Sequence, residues 1–251
     1  MYHITTTNSG QHEHTSRIGG VANIETADYP VCPVTQKPML LLMSLKKDLF
    51  DSGFAVNNLL EDSNYCISVF LAVKIHPEFG IGTNMPALYT VNDPIQTEKL
   101  KNGTVKVILH YDTGKAVELA AMPPPIPERK IVLTKFSAQE AKDDFPAGQE
   151  WFEGSKLTTS KFGAQFPAWL QEPINIDPEI VTNFAPVFRG FFGPEFILQL
   201  EDKLISAISP IHSGLLGSDG IGYLYLPTSV RNFVKKYQQP VEIGNFFIQD
   251  T

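Results

Sequence analysis

Cysteine is scarce in this chain. Cys32 and Cys66 are the only two in 251 residues, so a disulfide framework is not the organising device. Long apolar runs are missing too. The run "PMLLLM", Pro38 to Met43, is far short of the about 20 residues that a membrane-spanning helix needs. The opening "MYHITTTNSGQHEH" has no apolar stretch behind a basic start, so no secretory leader is read there and the cytoplasm is the expected location. Charged residues make up only 19%, and the 43% hydrophobic content supports a sizeable core, which speaks against disorder over most of the chain. Positive charge is the scarcer sign. Lys and Arg number 20 against 27 Asp and Glu, a formal net charge of −7, and no dense basic stripe is visible. Such a surface does not suit a nucleic-acid backbone. It suits a basic protein partner, because opposite fields speed encounter.

What is present is mostly β-forming. "PMLLLMSL" reads as a buried strand, and "NYCISVFLAVK", Asn64 to Lys74, as another. In "TVKVILHYDTGKAVELAAM", Val105, Val107, Leu109 and Tyr111 alternate. "DTG" then reads as a turn, and Val117 and Leu119 resume the alternation, so a hairpin is expected. "EFILQLE", Glu195 to Glu201, is a strand, and "GSDGIGYLYLP" a tight turn feeding one more. Two helices are expected. One starts at the capping box of Ser137 and Glu140. The other is a terminal amphipathic helix on which Val230, Phe233, Val234 and Tyr237 share a face. The first fourteen or so residues read as a loose start or an edge segment. "MPPPIPERK" has four prolines in five positions, which forbids helix and central strand and favours an extended connector over 123–130.

The chain says similar things twice on either side of that connector. "SRIGGVANI" from Ser16 aligns with "SKFGAQFPAWL" from Ser160. "LLMSL", Leu41 to Leu45, aligns with "FILQL", Phe196 to Leu200, and the strand from Tyr65 corresponds to the one from Gly222. A small sheet does not bury its apolar face alone, and a second copy supplies the cover. The second half also resembles the YwqG-like (DUF1963) family through Ser160, Lys161, Gly163, Pro167, Trp169, Gln171, Gln199, Gly220 and Gly222. The first half is similar to a degenerate copy, with Gly19, Gly20, Pro38 and Met39 in place and Ser44 where the strand glutamine stands. The likeness extends to the wider group of programmed-cell-death-2 proteins, but their Cys-x-x-Cys pairs are absent. The resemblance implies an α+β, mainly β fold: two internally duplicated antiparallel β-rich halves packed as one compact unit over 1–251. The pseudo-repeats would run over about 15–122 and 131–240. It implies no settled chemistry, and it suggests protein-binding modules, including immunity proteins beside bacterial toxins and chaperones of a client.

Candidate chemistry is thin. There is no Gly-x-Ser-x-Gly elbow, and His212, Ser213 and Asp219 read as a polar loop. "HEH" at His12 to His14 lacks further ligands, and Cys32, Cys66, His76 and His110 are scattered, so no metal or cofactor is expected. "GSDGIG" precedes a strand rather than a helix, so it cradles no phosphate. Asp143, Asp144, Glu150 and Glu153 lie near aromatic residues but read as solvated acids. The loop "VFRGFFGPE" carries the residue types of binding hot spots. Trp151, Phe188, Arg189, Phe191 and Phe192 are therefore the candidate partner-binding residues. The expectation is a non-enzymatic binding module, most concretely an immunity protein that occludes a basic toxin. A chaperone-like holder of a basic client and an enzyme of unrecognised type are the alternatives.

Overall fold

The computed structural model describes residues 1–8, 15–51, 60, 64–76, 80–83, 103–144, 157–163, 167–168, 195–226 and 240–249. In chain order the elements are strands β1 (Tyr2–Asn8), β2 (Arg17–Ile18) and β3 (Leu40–Leu45), helix α1 (Lys47–Phe50), then β4 (Tyr65–Leu71), β5 (Val73–His76), β6 (Gly80–Thr83), β7 (Val105–Tyr111) and β8 (Arg129–Lys135). Helix α2 (Ala138–Asp143) follows, then β9 (Lys161–Phe162), β10 (Glu195–Glu201), helix α3 (Asp202–Ile208), β11 (Ile221–Leu226), β12 (Val241–Glu242) and β13 (Asn245–Gln249). The protein is mainly β. Eleven strands form one antiparallel, curled sheet in the order β12-β7-β4-β3-β2-β8-β1-β9-β10-β11-β13, and β5 and β6 pair separately. No helix among the described residues is long and apolar enough to cross a membrane.

Alternation along the strands decides which core each side chain enters. On β4, Ile67, Val69 and Leu71 join the main core, while Phe70 joins a smaller cluster with Cys32, Met39, Leu41 and Ile108. The main core continues through Phe50, Phe162, Leu198, Leu224 and Phe246, all 1% exposed or less. Each such side chain contributes roughly 1.5–3 kcal/mol by leaving water. The smaller cluster lies under the segment that follows β7. There Thr113 N–H donates to Asn23 O and Val117 N–H to Ala22 O. Val117 and Leu119 therefore pack onto this second cluster and form no strand, which corrects the expected hairpin.

The opening residues are also corrected. β1 is not an edge segment. It lies in the middle of the sheet, paired with β8 from Tyr2↔Lys135 to Asn8↔Arg129 and with β9 at Tyr2↔Phe162 and His3↔Lys161. The connector has no regular structure over 122–128, and β8 then begins at Arg129, inside the segment expected to be connector. Helix α2 has the expected capping box, with Ser137 Oγ accepting from Glu140 N–H and Glu140 Oε2 from Ser137 N–H. The terminal amphipathic helix expected at Val230 to Tyr237 lies outside the described residues.

The sheet ends where one short segment meets both of its edges. Val241 and Glu242 pair with Leu109 and Ile108 of β7, and Ile243 N–H donates to Val107 O. Asn245 to Gln249 then pair with β11. Gly244 stands between the two edges. A Cβ there would lie 2.7 Å from Leu226 Cδ2 and from the Tyr225 carbonyl oxygen, so only glycine allows this approach.

The registers on the two sides of β1 and β8 match in detail. Arg17 pairs with Ser44 and Ser44 with Ser68; Lys161 pairs with Gln199 and Gln199 with Tyr223. The β3–β4 ladder shifts between Leu41 and Met43, and the β10–β11 ladder between Phe196 and Leu198. Gly19 N–H donates to Leu42 O and Gly163 N–H to Ile197 O, with φ of 71° and 67°. A residue with a Cβ is strained at either position.

Candidate functional site

Chemistry-bearing side chains concentrate in two polar rows that cross these matched ladders. In the first, Arg17, Ser44 and Ser68 stand at neighbouring positions of β2, β3 and β4, and all are 9% exposed or less. Ser44 Oγ and Ser68 Oγ are 2.8 Å apart, and His110 Nε2 lies 2.9 Å from Ser68 Oγ and 3.2 Å from Cys66 Sγ. Strand pairing brings this about, since Cys66 and His110 are direct partners on β4 and β7.

A cysteine, a histidine and two serines in contact invite a nucleophile reading. The proton positions count against it. His110 Nδ1 lies 2.8 Å from Tyr111 O, and a carbonyl only accepts, so Nδ1 carries the proton and Nε2 accepts. Burial holds the imidazole below its ordinary pKa and pushes the Cys66 thiol up to about 12. Thiol and imidazole are therefore both neutral, the opposite of an activated thiolate–imidazolium pair. Both residues are 1% exposed. The cluster braces the sheet and offers no attacking atom to solvent.

Next to it, Lys46 and Asp112 form an ion pair at 2% and 5% side-chain exposure. Asp112 is pulled below its usual range by the Lys46 ammonium and the Gly114 N–H, against the effect of its burial. Arg17 sits 3.4 Å from Glu128, which is 40% exposed, and donates from Nη2 to Val21 O at 2.9 Å.

The second row carries Lys161, Gln199 and Tyr223, all 0% exposed. Lys161 pairs with Asp144, itself wholly buried, and burial lowers the lysine pKa against the pull of that carboxylate. Gln199 Oε1 accepts from Ala168 N–H at 2.8 Å, while its Nε2 donates to Leu157 O at 3.2 Å and Thr159 O at 2.8 Å. Tyr223 O–H donates to Ala168 O at 2.7 Å. The row therefore ties Leu157, Thr159 and Ala168 to the sheet.

The motif residues fall into place as braces. Gly19, Gly163 and Gln199 make the contacts given above. Gly20 N–H donates to Ile126 O, Pro167 is buried beside Ala168, and Gly220 O accepts from Asp202 N–H. The serine before each short strand acts alike. Ser16 N–H donates to Asp48 and Ser160 N–H to Glu201, while each hydroxyl accepts from the N–H of Lys46 or Glu201. Trp169 and Gln171 lie outside the described residues. So do the candidate binding residues Trp151, Phe188, Arg189, Phe191 and Phe192, the acids Glu150 and Glu153, and His12 to His14.

His212, Ser213 and Asp219 are not brought together as a triad. His212 is buried between Ser209 Oγ, 2.7 Å away, and Pro124 O at 3.0 Å, whereas Asp219 is exposed near Lys203 at 3.4 Å. Asp202 is spent internally on Gly214 N–H, Leu216 N–H and Ser206 Oγ, so the cavity of about 400 Å³ beside it holds no free carboxylate of that residue. Asp143 is exposed and accepts from Gln139, as a solvated acid does; Asp144 is not solvated, contrary to expectation. Among the described residues no group of three or more His, Cys, Asp or Glu is placed to hold a metal. Sequence reasoning missed the Lys161–Asp144 and Lys46–Asp112 pairs, for which no local pattern exists. No family model and no curated protein matches the chain.

Proposed function

We propose that the chain is a non-enzymatic protein-binding module made of two duplicated, YwqG-like halves, and that it acts as a cytoplasmic immunity protein covering the basic cleft of a toxin. The duplication is supported by the matched registers and ladder shifts of β2–β3–β4 and β9–β10–β11. The binding role rests on one observation. Val31 and Val34 are 43% and 60% exposed on a short hairpin that follows the exposed Glu25 and Asp28 in the chain. That hairpin is held rigid by the Val31↔Pro38 bridge and by Cys32 N–H donating to Lys37 O. An apolar tip that follows carboxylates in the chain, on a protein of net charge −7, complements an apolar contact ringed by cations.

The test is capture of partners from the cell of origin at low and high salt, with the wild type and with Val31→Asp/Val34→Asp. One stoichiometric basic partner is expected, associating roughly tenfold or more slowly at high salt and lost with the double variant. Capture that ignores both salt and the substitutions would overturn the reading.

A further inference from the structure

Behind the same hairpin lies a cavity of about 620 Å³, within the size range of small-molecule sites. Its walls come from three separate parts of the chain: Thr35, Lys37 and Pro38 of the hairpin, Val73 and Lys74 of β5, and Met122 and Pro123 at the start of the proline-rich segment. Val73 packs against the main core and Met122 against the smaller cluster, so the cavity opens where the two cores meet the surface. Pro38, Val73, Met122 and Pro123 supply apolar lining.

Lys37 and Lys74 supply its charged lining. Lys37 and Lys74 are exposed, and among the described residues neither has a carboxylate partner. No Asp or Glu is among the described lining residues, although acids outnumber bases 27 to 20 over the whole chain. Among the described lining residues the charge is thus opposite in sign to that of the whole chain. The cavity's frame is also set before any ligand arrives. Lys37 O accepts from Cys32 N–H at 2.9 Å, Gln36 N–H donates to Cys32 O at 2.8 Å, and Lys74 is held in the β5–β6 ladder opposite Gly82.

We propose that this cavity is a binding site for a small amphipathic carboxylate: an apolar body against Val73, Met122 and Pro123, and a carboxylate between the ammonium groups of Lys37 and Lys74. The protein-binding reading does not require this site, and the site does not depend on that reading. A free ammonium donates up to three hydrogen bonds, and charge-assisted bonds to a carboxylate are stronger than those to a neutral amide.

The test compares 4-phenylbutyrate with its neutral isostere 4-phenylbutanamide by titration calorimetry on the full chain. Saturable 1:1 binding of the acid is expected, about tenfold or more tighter than the amide. Lys37→Gln/Lys74→Gln should bring acid and amide to the same affinity, and Lys37→Arg/Lys74→Arg should keep the preference. Both lysines are exposed, so these variants should melt as the wild type does. Failure of the acid to saturate, equal affinity of acid and amide in the wild type, or a preference that survives the glutamine pair would each overturn the proposal.

Discussion

The two polar rows begin alike and are neutralised differently. Arg17 and Lys161 each follow a serine, each open a two-residue strand, and each pair with the residue that starts the row on the next strand. Yet Arg17 meets a carboxylate that is 40% exposed, while Lys161 meets one that water does not reach. The same contrast runs along the rows. Ser44 spends its hydroxyl on a neighbouring serine, and Gln199 spends its whole amide on the backbone above it. The first row is thus a brace within the sheet. The second is a clamp on the backbone of Leu157, Thr159 and Ala168. Two stretches of similar sequence share one ladder geometry, and its polar positions do different work in each.

The largest effect should come from the buried ends. Lys161→Met leaves the Asp144 carboxylate buried without its cation and should cost about 3–5 kcal/mol in urea unfolding. Arg17→Met removes a half-solvated pair and one charged hydrogen bond, and should cost about 2 kcal/mol. Lys161→Met/Asp144→Leu should recover most of the loss, because an apolar pair of similar volume replaces a desolvated ionic one. Equal losses at Arg17 and Lys161 would remove the distinction between brace and clamp.

Much of the sheet was legible from the sequence because long strands carry their own period. β3, β4, β7, β10 and β11 were each visible as apolar or alternating runs. β1 was not, since only Ile4 of its seven residues is buried and a threonine run offers no alternation to read. β2, β9 and β12 have two residues each, too few to show any period. The alternation of Val117 and Leu119 was real, but it serves packing on the smaller cluster rather than a ladder. The buried pairs were beyond reach for a different reason. Lys161 and Asp144 are 17 apart, and Cys66 and His110 are 44 apart, so only strand pairing and loop placement bring them together. The repeated serine and glycine turns were legible as words; their use as cross-sheet braces was not.

A middle-sized effect separates the rows at their centres. Gln199→Ala removes the hydrogen bonds to Ala168 N–H, Leu157 O and Thr159 O and should cost roughly 2–3 kcal/mol. It should also speed amide exchange at Ala168. Ser44→Ala removes one hydroxyl contact and should cost about 1 kcal/mol, with exchange in 157–168 unchanged. If Ser44→Ala loosened 157–168 as much as Gln199→Ala does, the clamp would not be local to the second row.

The most gradual effect is a pH dependence to which the two sides contribute in the same direction. His110 lies beside the first row and His212 follows α3, and burial lowers the pKa of both from 6.5. Cys66, Ser68, Asp112, Lys46 and Arg17 surround His110, and the carboxylate of Asp112 opposes part of the shift. As pH falls through about 6.5 the unfolded chain takes up a proton at each histidine before the folded chain does. The unfolded state then binds more protons, so stability falls with falling pH, by at most about 1.4 kcal/mol per pH unit for each histidine. These two histidines should therefore make stability decline as pH falls from about 7 to 5. His110→Gln and His212→Gln should each remove about one proton from that slope, although each also costs stability at neutral pH. A slope that neither substitution changes would mean that both imidazoles ionise as freely in the fold as out of it, and that neither is sealed from water.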